Sequence, residues 1–127
     1  TNLDAWYTLD LHIGKESKKY FTGVENSKGL IYYIPRGGCV CEPEETWKSQ
    51  GDLAEILVID TKDDSYYTLD VGEYFKDSTT IEKYNNCIIH NDVIFAFPYG
   101  ESESFQTVLV FDTTKEKVVH TMDLKYV

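Results

Sequence analysis

One five-residue pattern, x-Thr-(Leu/Met)-Asp-(Leu/Val), occurs three times in this chain, as Tyr7-Thr8-Leu9-Asp10-Leu11, Tyr67-Thr68-Leu69-Asp70-Val71 and His120-Thr121-Met122-Asp123-Leu124. The copies align without gaps, 60 residues apart from Thr8 to Thr68 and 53 from Thr68 to Thr121. Each alternates apolar with polar, so Tyr7, Leu9 and Leu11 share one face of an extended strand and Thr8 and Asp10 the other. A recurrence at this spacing marks a repeat architecture, in which units bury their faces against neighbours rather than alone.

The rest of the unit recurs in the same order. Lys19-Tyr20 through Val24 answers Lys83-Tyr84 through Ile88, and Leu30 through Gly37 answers Val93 through Gly100. Ile56-Leu57-Val58-Ile59-Asp60-Thr61 answers Val108-Leu109-Val110-Phe111-Asp112-Thr113. With the Thr-Leu-Asp strand this makes four strands per unit. The links Glu25–Gly29, His90–Asp92, Thr61–Ser65 and Thr113–Lys117 have the polar chemistry of turns between adjacent strands. Pro35 and Pro98 close the second strand of each unit, where a missing N–H breaks no central ladder bond. The single helical candidate, Glu44 to Lys48, is too short to change the class.

Two all-β architectures compete for such units. A sandwich open to water on one face asks every strand to alternate, yet the second and third strands of each unit are near-continuous apolar runs, which predicts burial on both faces. A propeller buries its inner strands between flanking blades and leaves the outermost strand free to alternate. The predicted fold class is therefore all-β: antiparallel four-stranded repeat units, two β-propeller blades plus a leading outer strand. The boundaries fall at 1–11 for the outer strand of a preceding blade, 12–71 for a first full blade and 72–127 for a second. Two blades do not close a propeller, so the chain is expected to be part of a larger one or to assemble into one.

The apolar-Ile-(Tyr/Phe)-x-x-Pro-x-Gly segment, the (Ile/Val)-Leu-Val-(Ile/Phe)-Asp-Thr segment and the x-Thr-(Leu/Met)-Asp-(Leu/Val) strand together resemble the superfamily of kelch-like and YVTN-like β-propeller repeats, over about residues 6–124. The paired glycines of kelch repeats are absent from the second strand, Gly37-Gly38 falling after it. Propellers with such blades include enzymes, sugar binders and interaction scaffolds, so the resemblance implies a fold and leaves function to the site.

Composition narrows the partners. The 127 residues carry 22 acidic and 12 basic side chains, a formal charge of −10, with one short basic run from Lys15 to Lys19. Nucleic acid and anionic membrane surfaces are repelled by that field. No apolar run reaches the roughly 18 residues of a membrane helix, so an acidic, soluble domain is expected. Three cysteines leave at least one unpaired within the chain. Cys39-Val40-Cys41 lacks a second Cys or His pair at zinc-ligand spacing, His12, His90 and His120 being isolated; Cys87 reads as a small buried hydrophobe. No metal and no cofactor are called for.

Function is then sought in loops. Pro35 to Leu57 spans 22 residues and Pro98 to Leu109 spans 11, so the first unit holds an insertion within Arg36–Glu55, containing Cys39, Cys41, Trp47 and the acidic run Glu42 to Glu45. A rim bearing Arg36, Trp47, Tyr74, Phe75, Tyr99 and Phe105 suits recognition of a protein partner, with Trp47 as anchor. Catalysis is the weaker expectation: Ser102 and Ser104 sit beside glutamates, no Gly-x-Ser-x-Gly elbow occurs, and Asp63, Asp64 and Asp92 read as turn caps. The expectation is a binding or scaffold module acting through residues 36–55. The alternative is a propeller enzyme or carbohydrate-binding domain whose pocket, with His12, is completed by other blades. Other blades or further copies of the chain are the second class of partner.

Overall fold

Each apolar run bounded by Asn, Asp or Gly becomes one strand, because the pleated backbone lets β-branched and aromatic side chains pack while the turn residues reverse the chain. A computed structural model describes residues 7–9, 20–35, 55–75, 84–98 and 107–124. Strands β1 (Tyr20–Glu25), β2 (Leu30–Pro35), β3 (Glu55–Asp60) and β4 (Tyr66–Asp70) form one antiparallel sheet in chain order. Strands β5 (Tyr84–His90), β6 (Val93–Pro98), β7 (Thr107–Asp112) and β8 (Lys117–Asp123) form a second in the same order. A 3-10 turn, Gly72–Phe75, follows β4. Over the described residues the chain is all-β, with two four-stranded antiparallel units.

The two sheets are copies at the level of single ladders. In the first, Val24 pairs with Tyr32, Tyr32 with Val58, and Val58 with Tyr67. In the second, Ile88 pairs with Phe95, Phe95 with Val110, and Val110 with His120. On the opposite face the ladder Gly23–Tyr33–Leu57–Thr68 is matched by Cys87–Ala96–Leu109–Thr121. Both first strands shift register near their start, between Tyr20 and Gly23 and between Tyr84 and Asn86. Small and large residues exchange places across the copies: a Cβ on Gly23 would stand 2.7 Å from the Tyr33 ring, and the second sheet puts Cys87 against Ala96 instead. Both pairs fill similar space.

The turns repeat too. Asp60 and Asp112 each accept the N–H of the residue two ahead, Lys62 (2.9 Å) and Thr114 (2.8 Å), and each turn ends on a left-handed residue, Asp64 (φ 60°) and Glu116 (φ 51°). The first hairpins differ. Asn91 and Asp92 are both left-handed, at φ 51° and 62°, as a two-residue type I′ turn requires. Its counterpart is a longer loop closed on Gly29 (φ 81°), whose N–H donates to the Asn26 carbonyl at 3.2 Å.

The sheets pack face to face around one apolar core. Tyr32, Ile34, Ile56 and Val58 on the first meet Cys87, Ile94, Ala96, Leu109 and Phe111 on the second, and the Tyr32 and Phe111 rings lie 5.8 Å apart. β1 and β5 make the closest approach between the sheets. They run parallel, since Thr22 faces Cys87 within them and Ser27, just past β1, meets Asp92, just past β5.

Burial departs from the sequence expectation on one point. The third strands are buried on both faces over Ile56–Val58 and Val108–Phe111. The second strands are buried on one face only, with Tyr32 and Ile34, and Ile94 and Ala96, inside; Ile31, Tyr33 and Phe95 are half-buried and Phe97 is exposed. A run that is apolar throughout does not by itself say that both faces are covered. Tyr7–Leu9 of the leading Thr-Leu-Asp copy lies outside any strand, and the Tyr7 hydroxyl donates to the Asp64 carboxylate at 2.7 Å.

Candidate functional site

The tight turns gather at one end of the packed sheets, and side chains bind them to one another. Asn26, 7% exposed, holds the N–H groups of Lys28 and Leu30 on its carbonyl oxygen, both at 3.0 Å, and donates across the sheets to Thr113 Oγ1 at 3.3 Å. Thr113 Oγ1 donates in turn to the Asp92 carbonyl at 2.7 Å, while Tyr32 donates to the Thr113 carbonyl at 3.2 Å. The Asp92 carboxylate takes both the N–H and the hydroxyl of Ser27, and these bonds to its charged form hold its pKa below the usual carboxylate range. Tyr67 on β4 reaches Glu116 at 2.7 Å. Burial first, and then that carboxylate, raise the Tyr67 pKa.

Because neighbouring strands alternate in direction, the longer links leave from the other end. There β2 ends at Pro35, β3 begins at Glu55, β4 ends at Asp70, β5 begins at Tyr84, β6 ends at Pro98 and β7 begins at Thr107. Two tyrosines close the sheets beneath this rim at equivalent positions. Tyr84 is 1% exposed, and burial raises its pKa. The Tyr20 hydroxyl is buried with no hydrogen-bond partner among the described residues; burial, then the charge of Glu55, push its pKa up to about 12. The Tyr20 ring packs edge-on against Tyr33, with centroids 6.4 Å apart.

Of the rim residues named from sequence, Tyr74 is visible with its side chain, and it is 41% exposed. The 3-10 turn that carries it is fixed by the Asp70 carboxylate, which accepts the Gly72 N–H at 2.8 Å, and by the Val71 carbonyl, which accepts the Tyr74 N–H at 3.1 Å. Partial desolvation, then a hydrogen bond to Glu73, raise the Tyr74 pKa. Phe75 ends the same turn. Arg36, Trp47, Tyr99 and Phe105 lie outside the described residues, as do His12, Cys39, Cys41 and the helical candidate Glu44 to Lys48. Asp63 caps its own turn, accepting from the Ser65 N–H and hydroxyl at 3.0 and 2.7 Å, and those bonds lower its pKa.

Cys87 is 5% exposed and unbridged, and its Sγ stands 4.0 Å from Thr22 Oγ1. Burial pushes its thiol pKa up, the direction that suppresses thiolate reactivity. Among the described residues no three His, Cys, Asp or Glu side chains come together as metal ligands would, and no helix is long and apolar enough to cross a membrane. The cross-sheet clamp of Asn26, Asp92 and Thr113 carries no sequence motif; only its turn-forming residue types were visible. No protein-family model, no curated protein and no solved structure matches this chain.

Proposed function

We propose that this chain is a binding or scaffold module built on two consecutive propeller-type blades of the kelch-like or YVTN-like kind, and that it recognises a protein partner through the rim from which its longer links depart. The supporting observation is the division of the two ends. One end is cross-linked by Asn26, Ser27, Asp92 and Thr113, and the strand ends at Pro35, Glu55, Pro98 and Thr107 open toward the other. Recognition works through loops held on a rigid frame, and this arrangement supplies the frame beneath one set of loops. The blade reading is supported by parallel β1 and β5, the closest strands of the two sheets, as inner strands of adjacent blades are.

Within the rim, the segment 36–55 is the main contact and Trp47 its anchor, with Arg36, Tyr74, Phe75, Tyr99 and Phe105 as further contacts. An aromatic anchor and one guanidinium in the same rim is the composition from which interface hot spots are made. Affinity capture with the whole chain, followed by direct titration of the captured protein, tests this. Trp47→Ala is expected to weaken binding at least about tenfold with an unchanged circular dichroism spectrum, since hot-spot truncations cost about 2 kcal/mol or more. Equal affinity for wild type and Trp47→Ala would rule the reading out.

A further inference from the structure

The contact between the two sheets is not symmetric. The first sheet offers its Val24–Tyr32–Val58 ladder and the second answers with the opposite face, the Cys87–Ala96–Leu109 ladder. The counterpart of the first sheet's offering therefore exists again on the second sheet, as Ile88–Phe95–Val110 with Phe97 and Met122 beside it, and it points away from the core. Val110 in the middle of that face is buried and Phe95 half-buried, while the residues around them are exposed. Ile88, Phe97 and Met122 are 52%, 37% and 40% exposed, whereas Ile34, the match of Phe97, is 1% exposed.

The complementary half is also repeated. The ladder Gly23–Tyr33–Leu57 on the outer face of the first sheet matches the ladder that covers the core on the second, and Ile31, Tyr33 and Ile59 on it remain half-buried. One chain thus carries both halves of a contact that it already makes once internally. We propose that the Ile88–Phe95–Val110 face docks onto the Gly23–Tyr33–Leu57 face of a second copy of this chain, head to tail, extending the internal sheet-to-sheet packing from one molecule to the next. Such a heterologous contact adds copies in one direction until a ring closes or a filament grows. The inference rests on the equivalence of the ladders and not on the partner-binding rim.

Sedimentation of the whole chain over a range of concentrations tests it. Wild type is expected to associate reversibly. Ile88→Glu on one face and Ile31→Glu on the other are each expected to weaken association at least about tenfold, a cost of about 1.4 kcal/mol, with circular dichroism unchanged. Thr68→Glu, exposed on the same ladder as Tyr33, takes the place of Ile31→Glu if that variant does not fold. An equimolar mixture of the two variants is expected to give dimers and nothing larger, because each keeps the half that the other has lost. A wild type that stays monomeric overturns the proposal, as does association by the first-sheet variant alone, which would mean like faces meeting, or a mixture that fails to pair.

Discussion

Asp92 shows how one side chain can serve two sheets. It occupies the second left-handed position of a type I′ turn, which Asp and Asn both tolerate, and its carboxylate accepts two bonds from Ser27 of the other sheet. Those bonds favour the charged form, so the folded-state pKa lies below the unfolded one. Stability from this group is therefore fully present above the unfolded pKa and is lost as pH falls through the lowered folded value. Asp92→Asn keeps the turn and removes the charge. Thermal melts across pH are expected to show wild type ahead of Asp92→Asn at neutral pH, with the gap closing in acid below the ordinary carboxylate range. A gap that does not change with pH would mean that the Ser27 contact is not made to a carboxylate. Nothing local in the sequence announces this role: Asn91-Asp92 reads as a turn, and Ser27 lies 65 positions away in the chain.

At the scale of strands, equivalent residues do unequal work because one of two like faces is enclosed and the other is covered only around Val108 and Val110. Ile34 and Phe97 hold the same place on β2 and β6, yet one is enclosed and the other is exposed. Ile34→Ala is expected to lower unfolding free energy by about 2–5 kcal/mol, the usual range for a buried large aliphatic side chain, and Phe97→Ala by clearly less although it deletes more atoms. Denaturant titrations in dilute solution, where copies are apart, measure both; equal losses would mean that the second face is covered within the chain. The strands themselves were legible, since Leu30–Pro35 and Val93–Pro98, and the matching third strands, repeat residue for residue. Coverage was not legible, because apolar content states that a face can be buried and not what buries it. The leading Thr-Leu-Asp copy makes the related point: Tyr7–Leu9 has the strand pattern but no ladder, and strand formation needs a partner as well as alternation. The candidate rim was legible as an unequal loop length, which fixes where the two units differ and leaves the placement of Arg36 and Trp47 unstated.

For the molecule as a whole, two opposing terms act on a head-to-tail contact. The apolar face around Ile88, Phe97 and Met122 favours association by about 25 cal/mol for each Å² of apolar surface removed from water. The formal charge of −10 on every copy opposes it. The ladders that meet are apolar at their centre, with Glu25 beside Ile31 and Asp70 beyond Thr68 on the first-sheet face, acidic like the molecule as a whole, so added salt acts mainly on repulsion. That repulsion reaches about 30 Å at 0.01 M ionic strength and about 8 Å at 0.15 M. Self-association measured by sedimentation is therefore expected to strengthen as sodium chloride rises over this interval. Ile88→Glu is expected to stay dissociated throughout, because screening lowers repulsion without restoring the apolar contact. Association that weakens with salt would point instead to pairing between the acidic surface and the Lys15 to Lys19 run, a different interface from the one the repeated ladders define.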